Sequence, residues 1–493
     1  MPLVTLDIPA GIYRNGTDLQ GQSRWRDSNL VRWHDNTMQP IQGWRTRSDT
    51  ATADITRSMN IWIDNSDNRW IGAGTYQNLY IYDSDNVLHN ITPVGLTAGV
   101  ETAISSTSFG GGDYGESGYG EPRPESTLGR FSTTWAMDNW GEYLVACSDA
   151  DGKLYEWQLN TATVASTIAN SPVNNTSLLV TDERFLFALA AGGNSRKVQW
   201  SDRENNSLWT PDATNEAGDI ELQTNGRIMC GVRVQNQSLI LTTTDAHTAT
   251  YSGPPYVYGF ERVGTSCGIV SRQGVAVVDT GAVWMGAESF FIYSGGTVQE
   301  LSSDVADYIF TDINVGQMSK VVAVSNAKFS EIRWFYPSKS STENDRYVAF
   351  NYQENTWSIG TIARTAAVDA GVYRFPIYAS PVDKKIYEHE VGFDYGGSLP
   401  FAETGPILLG NGDSVMNITQ MIPDEKIQGE VTATFKTRFY PNDTERSYGP
   451  YDMSNPTSLR VTGRQLRFRV DGVNGSDWRV GVTRLETKAG GKR

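Results

Sequence analysis

"EIRWFYPSKSSTENDRYVAFNYQENTWSIG", residues 331–360, carries the unit from which the fold is read. An apolar strand, a turn rich in Ser, Asn and Asp, and a strand full of aromatic residues follow one another, which is the composition of an antiparallel hairpin. The unit recurs as "RWIGAGTYQNLYIYD" (69–83), "EYLVACSDADGKLYEWQL" (142–159), "RFLFALAAGGNSRKVQWSD" (184–202), "AVWMGAESFFIYSGG" (282–296) and "FPIYASPVDKKIYEHE" (375–390), with a weaker copy, "SLILTTTDAHTATYSG", at 238–253. Taking Trp70, Leu144, Leu186, Ile240, Trp284, Trp334 and Ile377 as equivalent gives intervals of 74, 42, 54, 44, 50 and 43 residues. Most lie near the roughly 40–50 residues of a four-stranded propeller blade. A set of β-sandwiches with similar hairpins is the competing architecture, and the period favours the propeller. Aromatic residues suit it too, since they fill the wedges between blades.

Helical periodicity is nearly absent. "SSDVADYIF" (302–310) is the one good candidate, with Ser or Asp to cap it and Val305, Tyr308 and Ile309 on one face. After about residue 395 the strands lengthen and alternate, as in "EVTATFKTRFYP" and "RQLRFRVDG". In "LRFRV" the apolar Leu466, Phe468 and Val470 face away from Arg467 and Arg469. The expected fold is therefore all-β: a β-propeller of about six or seven blade-like repeats over 51–395, and an antiparallel β-domain over 396–493. Residues 1–50, notably "NLVRWHDNTMQPIQGW", are expected to join that second domain.

The oversized first interval contains "FGGGDYGESGYGEPRPES" (109–126), in which Gly110, Gly112 and Gly115 fit the GxGxxG pattern of a dinucleotide-binding turn. That pattern binds a pyrophosphate only where a helix N-terminus follows it. Here two prolines and further glycines follow, which bar a helix, and Asp113, Glu116 and Glu121 would repel phosphate. The stretch is expected to be an extended loop projecting from the propeller, with Tyr114 and Tyr119 as contact residues and no nucleotide bound.

With 493 residues and 39% hydrophobic content the chain can bury a large core. No apolar run approaches the roughly 20 residues of a membrane span, and the N-terminus lacks the pattern of a signal peptide, so a cytoplasmic origin without membrane binding is expected. The net charge of −15 is unevenly placed: residues 460–493 carry +6 and residues 1–50 carry +1, which leaves −22 on residues 51–459. An acidic body of this kind does not grip nucleic acid through its phosphates.

Catalytic and metal motifs are missing. Cys147, Cys230 and Cys267 are scattered and form no CxxC pair, and His34, His89, His247 and His389 lie far apart with no HExxH. "CSDADGKLYEWQ" has the flavour of a calcium loop through Asp149, Asp151 and Gly152, but Cys147 and Gln158 stand where the end ligands belong, so a hairpin turn is expected. A sialidase-like propeller repeats a Ser-x-Asp-x-Gly-x-Thr-Trp turn, and Ser148–Gly152 has its Asp one place late with no second copy. The expectation is no enzyme, no cofactor and no metal.

The run 281–360, the opening "GIYRNGTDLQGQSRWRDSNLVRWHDNTMQPIQGW" (11–44) and the ending "GRQLRFRVDGVNGSDWRVGVTRLE" (463–486) resemble tail proteins of short-tailed bacteriophages, in particular the nozzle, also called tail tubular protein B or tail hub. The likeness spans most of the chain, although its motifs are loose structural signatures. The resemblance implies a structural virion protein: a homo-hexameric ring that docks on the head-tail adaptor and through which genomic DNA is ejected without sequence-specific binding, with tail fibres or spikes as further partners. An acidic lumen would let the duplex slide. Arg460, Arg464, Arg467 and Arg469 are then expected to meet carboxylates of an adjacent subunit or of the adaptor. A propeller glycosidase or a glycan-binding tail adhesin are the alternative functions.

Overall fold

The computed structural model describes residues 3–104, 130–408, 412, 414–427 and 429–491. Seven four-stranded antiparallel sheets close a β-propeller, and two further sheets form a platform beside it. The blades cover 58–90, 135–167, 177–221, 228–265, 275–301 and 322–360, and the seventh combines Ala366–Val368, Ile377–Ala379 and Ile386–His389 with Trp44–Thr46. In each blade the first strand lies innermost and packs against the first strands of its neighbours around the axis. All seven residues aligned by the sequence period fall on the second strand of their blades.

The seventh blade closes the ring. Its outer strand, Trp44–Thr46, pairs antiparallel with Ile386–His389, so a piece of the N-terminal segment belongs to the propeller as well as to the platform side. His389 is fully enclosed between Trp44 and Tyr378, with ring centroids 5.3 and 4.2 Å away, and its Nε2 accepts a hydrogen bond from Arg364 Nε at 2.8 Å. Burial, with Arg364 and Arg333 nearby, holds His389 well below the ordinary histidine value, so it stays neutral. Its neighbours in sequence serve the same closure. Glu388 binds Arg45 and Arg47, on and just after this outer strand, the clasp of the ring, at 2.7 and 2.5 Å.

Glu390 turns the other way, into a buried cluster with Arg32, Glu331 and Arg333. Arg32 Nη2 lies 2.6 Å from Glu390 Oε1, its Nε 2.9 Å from Glu331 Oε1, and Asn326 Nδ2 donates to Glu390 at 3.1 Å. Arg32 comes from the N-terminal hairpin Val31–His34 and Thr37–Pro40, whereas Glu331 and Arg333 sit on blade six. One charge cluster therefore joins the hairpin to blades six and seven.

The platform packs two sheets face to face. One orders Leu3–Leu6, Thr483–Ala489, Met416–Ile422 and Thr457–Gly463; the other orders Trp25–Asn29, Phe401–Thr404, Gln465–Asp471, Thr432–Arg438 and Arg446–Asp452, with Ile407–Leu408 on Gln465–Asp471. Leu466, Phe468 and Val470 point inward, as their alternation requires. Their core is continuous with blades five and six through Trp25, Phe290, Trp334 and Trp357. The helix Ala306–Asp312 lies at this junction and buries Val305 and Ile309. Neither Ser nor Asp of its own segment caps it. Asn15 Oδ1 accepts from Asp307 N at 3.1 Å, so the cap arrives from the N-terminal segment.

Glu390→Gln should destabilise the protein by about 3–5 kcal/mol, because Arg32 and Arg333 are then left with one carboxylate between them. Burial raises the Glu390 carboxyl, but Arg32 and Arg333 outweigh it and bring the group below its ordinary value. Its contribution is accordingly complete above the unfolded-state value of about 4.3 and lost as pH falls through the lower folded-state value. Thermal midpoints measured from pH 7 downward should converge for the two proteins in acid. Equal midpoints at pH 7 would contradict this.

Candidate functional site at the axial mouth and the platform

The innermost strands leave an axial cavity of about 220 Å³, lined by residues such as Met59, Met137, Leu179, Val232, Val275 and Ala323. A space of this size accommodates a cluster of waters and no strand of nucleic acid. Polar bridges stand at both of its ends. At one mouth, Arg272 and Gln273, from the connector between blades four and five, reach over to blades one and two. Arg272 Nη1 donates to Thr134 Oγ1 at 3.0 Å and to the Asp149 carboxylate, and Gln273 Nε2 donates to Ser58 Oγ and, at 3.3 Å, to the Trp135 carbonyl. At the other mouth Arg233 donates to Asp138 Oδ1 at 3.0 Å and to the Val180 carbonyl at 3.1 Å. Burial raises the Asp138 carboxyl above its ordinary value in spite of Arg233.

The two stems of the glycine-tyrosine stretch lie across the first mouth. Ile104 and Arg130 exchange backbone hydrogen bonds of 2.8 and 2.9 Å, and Ser132 Oγ donates to the Glu101 carbonyl at 2.9 Å. On one side the stems are held from the blade five–six connector and from blade six itself. Gln317 bonds both backbone groups of Ala103 at 3.1 Å, and Lys320 Nζ reaches Thr102 Oγ1 at 3.4 Å and Glu343 Oε1 at 2.7 Å. Arg57 joins Glu343 and the Glu101 carbonyl, the latter at 3.0 Å. Burial lowers the Lys320 ammonium, and Arg57 adds to this; burial raises Glu343, but Arg57 and Lys320 bring it below its usual range. On the other side Arg227, between blades three and four, lies 4.2 Å over the Phe131 ring. A segment held from both sides of the ring crosses the end of its axis. Tyr114, Tyr119 and the rest of 109–126 lie outside the described residues.

The platform arginines have partners in their own chain. Arg467 donates to Asp18 Oδ2 at 2.6 Å and to Glu445 Oε1 at 2.7 Å, and Arg438 donates to the same Asp18 oxygen at 2.7 Å. Arg469 bonds Asp471 at 2.8 Å, approaches Glu403 at 3.5 Å and covers the Phe401 ring at 3.8 Å. The carboxylates anticipated from a neighbour are thus supplied for Arg467 and Arg469 by the N-terminal segment and adjacent strands. Arg464 stacks over Tyr440 at 5.4 Å, and Arg460 is exposed on the edge strand Thr457–Gly463 of the other sheet.

The four histidines lie apart, each with its own local partner. His89 meets Asp83 and His247 meets Asp245 as local pairs, at 2.8 and 3.4 Å. His34, Asp35 and Glu354 bring one ligand atom each within 4.8 Å of one another, but the 2.8 Å bond from His34 Nδ1 to Glu354 already accounts for that grouping. Asp149 and Asp151 occupy a hairpin turn, where Asp149 accepts from Thr134 N at 3.0 Å and Asp151 from Lys153 N at 3.2 Å. Sequence reasoning missed Arg57, Arg272, Gln273 and Lys320, which sit in connectors between blades, and Glu343, in a loop of blade six; none of them carries a motif.

No protein-family model matches the chain, and no curated protein matches it. Among solved structures it is similar to virginiamycin B lyase from Staphylococcus aureus, at 8% identity over 70% of this chain and 99% of that one with a TM-score of 0.42. The Cps50 (Swd1) β-propeller domain of Myceliophteria thermophila gives 8% identity, 71% and 99% coverage and a TM-score of 0.41. PorZ of Porphyromonas gingivalis gives 9% identity, 85% and 46% coverage and 0.38. The likeness is one of propeller architecture.

Two outcomes are expected here. A double-mutant cycle on Arg272→Ala and Asp149→Ala should return a coupling of about 1.5–3 kcal/mol in thermal or denaturant unfolding, as for a shielded charged hydrogen bond; additive effects would mean the bridge is incidental. Arg467→Glu should lower platform stability by about 1–2 kcal/mol, since Asp18 and Glu445 would face a third carboxylate, and the loss should grow at low ionic strength. A midpoint that ignores salt would show that the pairs carry no weight.

Proposed function

We propose that this chain is a structural virion protein, one subunit of a ring-shaped tail nozzle of a short-tailed bacteriophage, docked on the head-tail adaptor and lining part of the DNA ejection channel. The observation that carries the reading is the narrow axis of a propeller joined through one core to a two-sheet platform. With an axial space this small, crossed at one mouth by Arg272 and Gln273, a conduit for a duplex has to lie between copies. The sequence resemblance to nozzle proteins supports the same arrangement, as does the −22 charge of residues 51–459, which would keep a lumen wall from holding phosphates. The platform, made from both chain ends, supplies the docking surface, with exposed Arg460 on its edge strand as a candidate contact.

Native mass spectrometry together with averaged particle images tests this. Six copies in a ring with an open, acidic lumen wide enough for a duplex are expected. A monomer or trimer at every concentration, or a basic lumen wall, would overturn it.

A further inference from the structure

We propose that the cleft between blades four and five, on the face crossed by the loop stems, is a binding site for a neutral saccharide of one or two rings. The cleft encloses about 610 Å³, within the range of small-ligand sites. Its walls are the turn Thr243–Asp245 of blade four and the turn Ala287–Ser289 of blade five, and the connector through Ser266 and Gly268 forms its floor.

The floor is fixed by close backbone packing. A Cβ on Gly268 would stand 1.9 Å from the Thr243 carbonyl oxygen, Cys267 N donates to Thr244 O at 3.0 Å, and Trp284 Nε1 donates to Cys267 O at 2.8 Å. Phe291 is half-buried against Trp284, at 6.0 Å between centroids, and its ring lies so near Gly286 that a Cβ there would meet it at 2.5 Å. Glu300 is its register partner on the neighbouring strand, so both side chains leave the same face of blade five. Ser289 Oγ donates to Glu300 at 2.7 Å and holds that carboxylate in place. Deeper in the cleft, Asp245 accepts from Thr224 Oγ1 at 2.7 Å. Burial raises the Asp245 carboxyl, but the Thr242 and Thr224 hydroxyls bring it below its usual value and keep it an acceptor at neutral pH.

The chemistry of this lining selects its ligand. One held aromatic ring offers a surface for the C–H face of a pyranose, while carboxylates and the hydroxyls of Thr243, Thr244 and Thr265 offer acceptors and donors for its hydroxyls. Asp245, Glu288 and Glu300 outnumber the single cation Arg262, which disfavours phosphate, sulfate and uronate groups. A bare cation fits less well, because the three carboxylates do not converge within ligating distance, unlike the group at His34. The acceptors are distributed around the cleft, as a ring of hydroxyls requires.

Ligand-observed saturation-transfer NMR and titration calorimetry on the full chain test the proposal, with glucose, galactose, N-acetylglucosamine and their dimers as probes and glucuronate and glucose 6-phosphate as acidic controls. At least one neutral sugar should bind, the acidic controls should bind more weakly, and Phe291→Ala should weaken binding by about tenfold. Glu288→Arg, at an exposed position, should change the neutral-to-acidic preference without altering the thermal midpoint, and it keeps the test open should Phe291→Ala disturb packing. Binding by no neutral sugar, preference for the acidic controls, or indifference to both substitutions would overturn the site. The cleft lies within one subunit, so this result is independent of ring stoichiometry.

Discussion

Four charges buried together hold this molecule's parts in register. Arg32, Glu331, Arg333 and Glu390 are each almost completely removed from solvent, and removing charges from water costs several kcal/mol per ion unless each finds its counterpart. Two cations and two anions balance only when the N-terminal hairpin, blade six and the end of blade seven are all in place. A propeller closed by hydrophobic wedges alone would tolerate small displacements between blades. This one is pinned by a cluster that loses its compensation if any contributor moves away. The neighbouring clasp repeats the logic, with Glu388 on Arg45 and Arg47 and neutral His389 stacked between Trp44 and Tyr378.

From that closure follows the division of labour. The platform shares its core with blades five and six and therefore moves with them as packed matter. Arg467 and Arg469, on the outer face of the platform sheet, are tied to Asp18, Glu403, Glu445 and Asp471 within the subunit. At the mouth crossed by Arg272 and Gln273, the stems of the glycine-tyrosine stretch are drawn over the axis by side chains from opposite sides of the ring, Gln317 and Lys320 against Arg227. A narrow axis and platform arginines already paired at home direct attention to faces between copies, and to the cleft between blades four and five, as places where this protein meets other molecules.

Much of the architecture was legible in the chain. The seven aligned positions from Trp70 to Ile377 all occupy second strands, because a blade must bury the same central strand in every repeat and apolar residues mark it each time. Leu466, Phe468 and Val470 face inward because alternation has no other way to be satisfied. The helix was placed within a few residues by Val305 and Ile309, whereas its cap was misassigned: Asn15 is 292 residues from Asp307, and local capping rules carry no information at that range. Trp44–Thr46 was grouped with the N-terminal segment for the same reason, since an outer blade strand is chosen by the free edge it meets.

Periodicity, alternation and turn chemistry are local properties, and they alone determined the fold class, the repeat and the longer alternating strands after residue 395. Which charge meets which was decided only by tertiary structure. Arg467 displays an outward-facing position in sequence, but nothing in its surroundings there names Asp18, 449 residues away, as the carboxylate that takes it. Arg272 and Gln273 are two ordinary connector residues until ring closure brings Thr134, Asp149 and Ser58 to them across the axis. Apolar residues need only some interior, and so their pattern suffices; a hydrogen bond or an ion pair needs one atom at one distance, and only the closed ring sets that distance.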